Sequence, residues 1–123
     1  MRVSLSPPPC LPSHWLLLMV SSRPNNTDLR TAWRERLLSA SLQGVKVVFL
    51  VAETEQEVEQ ERLRAEAEEF EDIVEVGVTD GHRLLGYKIL AGHVWAYQQV
   101  SGNTKDYKIV GYEEATYLES VWN

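Results

Sequence analysis

Short apolar runs alternate with helical patterns along this chain, and that alternation restricts the fold more than any other feature. Residues 15–21 (WLLLMVS) and 45–52 (VKVVFLVA) are unbroken enough to read as strands buried on both faces. Residues 72–78 (DIVEVGV) read as a third strand and 105–112 (KDYKIVGY) as a fourth. Between the first two runs, Leu29, Trp33, Leu37 and Leu38 recur at spacings of three and four, which predicts a helix over 28–42 ended by Gly44. A long acidic helix is predicted over 54–70, with Val58, Leu63, Ala67 and Phe70 as its few apolar positions. A third spans 82–99. Its wide apolar face (Leu84, Leu85, Ile89, Ala91, Gly92, Trp95, Ala96) makes it the more buried helix. The order βαβαβαβ predicts an α/β fold: a mostly parallel sheet with helices on both faces.

The length, 123 residues, suits one domain. Pro7, Pro8 and Pro9 forbid helix and central strand, so residues 1–14 read as a disordered or extended leader. The apolar run from Trp15 to Val20 is six residues, against the roughly 20 a membrane span needs. Prolines also interrupt any signal-peptide pattern, so no membrane anchor or clear signal peptide is read here. A net charge of −6 with no basic stripe argues against nucleic acid as a partner. The single cysteine, Cys10, closes no internal disulfide, and His14, His82 and His93 form no helical metal pair.

Open parallel sheets hold ligands at the carboxyl ends of their strands. The informative loops are therefore 21–28, 52–55, 79–83 and 112–116; none carries a GxGxxG or P-loop pattern. Lys88 stands in the middle of the third helix's apolar side. Its ammonium either finds a buried partner or snorkels out along Leu84. Asp80, just before that helix, is a residue type the helix dipole favours there. Arg30 is placed to reach an anion such as a pyrophosphate, with Ser21, Ser22 and Arg23 nearby, or else faces solvent. Trp33 belongs to the core, and the glutamates between Glu53 and Glu71 read as a solvated helix face. Asn25-Asn26-Thr27 is both a glycosylation sequon and suitable turn-and-cap chemistry.

Three stretches together resemble the β-1,3-galactosyltransferase type of glycosyltransferase, family 31. That family carries a strand, a polar Ser/Pro loop and a helix reading R-x-x-I-R-x-T-W. Here LLLMVSSRPNNTDLRTAW matches it at Leu29, Arg30 and Trp33, with Asn26 at the first Arg and Ala32 at the Thr. The family's charged helix ends in E-x-x-x-(F/Y)-x-D-I, matched by Glu66, Phe70, Asp72 and Ile73. Its D-S-Y-x-N-L-T-x-K is matched at Asp80, Leu85 and Lys88. The resemblance covers about residues 15–110.

The resemblance implies a partial GT-A (Rossmann-like) fold over 15–112, the donor-binding part, followed by a divergent tail, 113–123. It implies a hexosyltransferase of the Golgi membrane, moving galactose or N-acetylhexosamine from a UDP-sugar to a glycan acceptor with inversion. Ser22, Arg30, Asp80 and Lys88 would bind the nucleotide sugar. The family's D-x-D motif, which holds Mn²⁺ or another divalent metal, falls on Tyr112-Glu113-Glu114, leaving Glu114 as the candidate ligand. No residue matches the family's downstream catalytic base. The expectation is therefore a truncated chain, inactive alone. The alternatives are a non-catalytic nucleotide-binding or protein-interaction module, associating with a full-length relative, and a partly folded fragment.

Overall fold

The structure, a computed structural model, describes residues 3–9, 11, 13–41, 43–79, 85–100 and 108–112, with backbone alone at 78–79, 85–87, 89, 99–100 and 108–112. Its elements run β1 (Val3–Leu5), β2 (Leu16–Ser21), α1 (Thr27–Ala40), β3 (Val45–Glu53), α2 (Glu57–Phe70), β4 (Ile73–Thr79), α3 (Leu85–Val100) and β5 (Lys108–Tyr112). They form one five-stranded sheet in the order β1-β4-β3-β2-β5. The pairings β2–β3, β3–β4 and β2–β5 are parallel, and β1–β4 is antiparallel. The predicted α/β fold with a mostly parallel sheet is therefore present.

Strand side chains alternate between two cores. Val20, Phe49, Val51 and Ile73 meet Leu29 and Trp33 of α1 and Leu63 of α2. Leu17, Met19, Val48, Leu50, Val74 and Val76 meet Ala91, Trp95 and Ala96 of α3. Each fully buried large apolar side chain contributes about 1.5–3 kcal/mol. Gly92 lets α3 lie close on β3: a Cβ there would stand 2.5 Å from Leu50 Cδ2.

The path of the chain follows from these two faces. From β2 the chain steps outward to β3 and β4, with α1 and α2 on one face. From β4 it returns across the other face through α3 and enters β5 on the far side of β2. The direction of winding reverses between β2 and β5, which is where open sheets of this kind leave a crevice at the strands' carboxyl ends.

Two expectations change. Of the two readings of the N-terminal leader, disordered or extended, residues 3–9 take the extended one and go further. Val3–Leu5 adds an antiparallel edge strand, where a proline just beyond the strand breaks no ladder. A bulge between Val3 and Leu5 lets Val3 pack against the α3-side core and Leu5 against the other. Ser4 Oγ donates to Glu53 Oε1 (3.2 Å), Trp95 Nε1 donates to Ser6 Oγ (3.0 Å), and Lys46 Nζ donates to the Pro8 carbonyl.

The second change is at Gly44, which does not end α1. The helix stops at Ala40 with Ser41 in the left-handed conformation (φ 52°). Gly44 takes φ +76° under the Trp15 indole, where a Cβ would fall 2.4 Å from Trp15 Cδ1. Leu38, expected on the apolar stripe, is 82% exposed.

Replacing Val3 and Leu5 together by serine removes the apolar anchors of β1. The expected loss is about 2 kcal/mol in urea unfolding, by the area that is no longer buried. Concentration-dependent association should accompany it as the β4 edge opens. An unchanged unfolding midpoint would mean that β1 contributes nothing to the sheet.

Candidate functional site

The site is built where β2 runs into α1. The apolar run of β2 ends in two serines, and Ser22 N still donates to the Leu50 carbonyl of β3 (3.0 Å). The chain then turns through Pro24 and Asn25, and Asn26 caps α1 by accepting from Leu29 N (3.2 Å). This puts Arg30 one turn into the helix, beneath the loop it has just left.

Arg30 is fully buried. Its Nη1 donates to Ser22 Oγ (2.8 Å) and to the Arg23 carbonyl (2.7 Å). Its Nη2 donates to the Pro24 carbonyl (3.0 Å), with Thr27 Oγ1 at 3.4 Å. Nε and Nη2 together grip Glu66 of α2, at 2.6 and 2.8 Å. A guanidinium has five N–H donors, and protein acceptors take all five. The loop is wrapped around a charge whose counter-ion sits on the neighbouring helix.

A second arginine extends the network. Arg34 donates to Glu66 Oε2 (2.8 Å) and, through two nitrogens, to Asp72 (2.7 and 2.8 Å). Its guanidinium lies over the Phe70 ring at 3.9 Å, with Phe49 at 5.0 Å. Burial would raise the Glu66 pKa, but the hydrogen bonds and charges of Arg30 and Arg34 outweigh it and hold it low. Asp72 goes the other way. Burial pushes its carboxyl up, and the nearby Glu66 charge adds to that, so the single arginine it bonds does not restore it. For Arg34, burial opposes the charge, yet the bonds to Asp72 and Glu66 raise its pKa.

Lys88 reaches the same loop from the opposite face. It lies in the first turn of α3, is 3% exposed, and its Nζ stands 3.5 Å from the Ser22 carbonyl, at the long limit of a hydrogen bond. Ser22 is thus approached by Arg30 from the α1 side and by Lys88 from the α3 side. It occupies the end of β2 at the reversal point. Of the predicted site residues, Ser22, Arg30 and Lys88 come together. Asp80 and Glu114 lie outside the described residues.

The geometry revises one role. Arg30 was expected either to meet a pyrophosphate or to face solvent, and it does neither, because its donors are already taken by Ser22, Arg23, Pro24 and Glu66. It shapes the loop from behind. Snorkelling is likewise excluded for Lys88 by its burial. Arg34 and the ion-pairing of Glu66 and Asp72 were missed. The signal was present in the i, i+4 spacing of Arg30 and Arg34 and in the Glu66–Phe70–Asp72 spacing. Among the described residues no group of three or more His, Cys, Asp or Glu is placed to hold a metal ion. None of the described helices is long and apolar enough to cross a membrane.

The galactosyltransferase family model matches residues 25–109, more than half of the chain. The matched span holds Arg30, Arg34, Glu66, Asp72 and Lys88. No curated protein matches the chain as a relative.

Replacing Glu66 by glutamine leaves the buried Arg30 guanidinium facing a neutral partner, and the half-buried Arg34 with Asp72 as its carboxylate. The expected loss is about 3 kcal/mol or more of folding stability, read by chemical denaturation. Acid titration supplies an independent check. With its folded pKa below its unfolded one, Glu66 stabilises the fold above pH of about 4.3 and loses that contribution as pH falls through the lowered value. Asp72 acts in the opposite sense: its contribution is present below pH of about 3.9 and lost as pH rises through its raised folded value. Carboxyl carbon shifts followed by NMR should show Glu66 titrating below the ordinary glutamate value and Asp72 above the ordinary aspartate value. A shift of either group in the other direction would contradict this assignment of charges.

Proposed function

The chain belongs to the galactosyltransferase family, and on that premise we propose that it forms the donor-binding part of a UDP-sugar-dependent hexosyltransferase. The observation that carries this reading is Lys88. A lysine ammonium is buried at the carboxyl ends of the strands, beside the Ser22 carbonyl, at the point where the sheet reverses its winding. That is where the fold offers a crevice, and a cation there suits the diphosphate of a nucleotide sugar. In this reading Lys88 faces the diphosphate, and the Ser22 backbone forms the floor beneath the nucleotide. Arg30 is a positioning residue. It holds the loop of residues 22–27 in one shape so that Ser22 is already in place when the donor arrives, which lowers the ordering cost of binding. Asp80, the residue after β4 in the sequence, would fix the loop that holds the donor.

The sugar we propose is galactose or N-acetylhexosamine, passed with inversion to a glycan hydroxyl in the Golgi. A divalent ion such as Mn²⁺, when bound, would neutralise charge on the departing nucleotide. Glu114, just past the carboxyl end of β5, is the residue proposed to hold it, since hard cations take carboxylate oxygen. We assign no residue of this chain as the catalytic base.

Titration of UDP into the folded chain, followed calorimetrically with and without Mn²⁺, tests this. Binding is expected, and Lys88→Met should weaken it at least tenfold, about 1.4 kcal/mol. Stronger binding with Mn²⁺ would support Glu114. No heat from a folded wild-type chain would end the donor-binding reading. With UDP-galactose, Mn²⁺ and a glycan acceptor, the isolated chain is expected to show no sugar transfer. Measurable transfer would mean that a base is present after all.

A further inference from the structure

We infer that Asn25 is an acceptor for an N-linked oligosaccharide. The inference starts from the tripeptide Asn25-Asn26-Thr27, which fits the sequon N-x-T with a residue other than proline in the middle. The structure separates the two asparagines. Asn26 is half-buried and turned to the helix, its Oδ1 accepting from Leu29 N. It is also out of register for modification, since Asp28 stands where its hydroxyl residue would be. Asn25 is exposed at the tip of the turn, and Thr27 is exposed at the start of α1. Cap chemistry and acceptor chemistry, which compete for the same three residues in the sequence, are therefore carried by different side chains.

Position strengthens the case. The turn is anchored from below by Arg30 bonds to the Arg23 and Pro24 carbonyls, which are backbone groups. Sugar on the Asn25 side chain disturbs none of them. Thr27 meets the network by its side chain, through a 3.4 Å contact from Arg30 Nη2, and Asn26 by its backbone, which bonds the Arg23 carbonyl and Arg30 N. In the reaction the Asn25 amide nitrogen bonds to the anomeric carbon of an oligosaccharide carried on a polyprenyl diphosphate. The bond from that carbon to the diphosphate breaks. The diphosphate leaves with the electron pair, and the proton lost from the amide ends on it. The inference rests on the proposed Golgi function only for the chain's passage through the secretory lumen.

The test supplies that passage. The full chain is expressed in animal cells behind a cleavable secretory leader, and its mobility is compared before and after digestion with an N-glycan-removing amidase. One discrete step of added mass, removed by the enzyme, is expected for wild type and for Thr27→Ser. It should vanish in Asn25→Gln and in Thr27→Ala. The purified glycosylated form should melt as cooperatively as the digested form, because Asn25 is exposed. A wild-type chain in the lumen without added mass, a shift that survives Asn25→Gln, or sugar found only on unfolded chain would each overturn the inference. UDP binding is measured separately, so failure here and failure of the donor-binding reading are distinguishable.

Discussion

Arg30 is a fully buried positive charge, and much of the local structure around it answers that fact. Removing a guanidinium from water is costly by several kcal/mol unless its donors are matched by acceptors of good geometry. The matching requires three things at once. The loop after β2 must fold back so that its carbonyls face inward. Helix α2 must sit where Glu66 reaches across. The hydroxyl of Ser22 must accept from Nη1. None of these can be satisfied alone, so the network selects one arrangement of loop and helices. Its value lies in specifying that arrangement more than in net stability, since an apolar replacement of equal shape can be as stable.

Arg34 ties the same pair of helices to the sheet. It shares Glu66 with Arg30, binds Asp72 at the entry to β4, and stacks on Phe70 at the end of α2. On this face the residues that carry the family pattern (Arg30, Glu66, Phe70 and Asp72) form one cluster. A family pattern need not trace residues that touch substrate. Here its first two blocks trace the support of a loop, and Lys88, a described residue of the third, reaches the carboxyl end of β2. The other face is organised differently. Apart from Lys88 its buried cluster is apolar, close-packed through Gly92 and Leu50, and joined to the N-terminal segment by the Trp95–Ser6 bond.

Sequence and structure part company where long-range partners decide the outcome. The run Pro7-Pro8-Pro9 marks the N-terminal residues as unable to form a central strand. An edge strand that ends before the prolines violates no local rule, and only the open edge of β4 calls it into being. Arg30 is similar. One helix turn cannot say whether an arginine points out or in. The answer depends on Glu66, thirty-six residues away. Gly44 looked like a helix terminator because glycine commonly is one, yet Ser41 ends α1 and Gly44 yields to Trp15. By contrast, Trp33, Leu63, Ala91, Trp95 and Ala96 are buried as their spacing required.

What the sequence alone determined is the alternation of strands and helices, the burial of apolar positions such as Trp33, Leu63 and Trp95, and that Lys88 lies on the apolar side of α3. Those properties are local: they follow from periods of two and 3.6 residues and from burial of apolar area. The tertiary structure decided which strands are neighbours, that the winding reverses between β2 and β5, and that Ser22, Arg30 and Lys88 meet there. It also decided that Arg30 supports the loop from within. These depend on closing contacts between segments distant along the chain. No local preference can supply that information, because strand pairing and ion pairing exist only once both partners are in place.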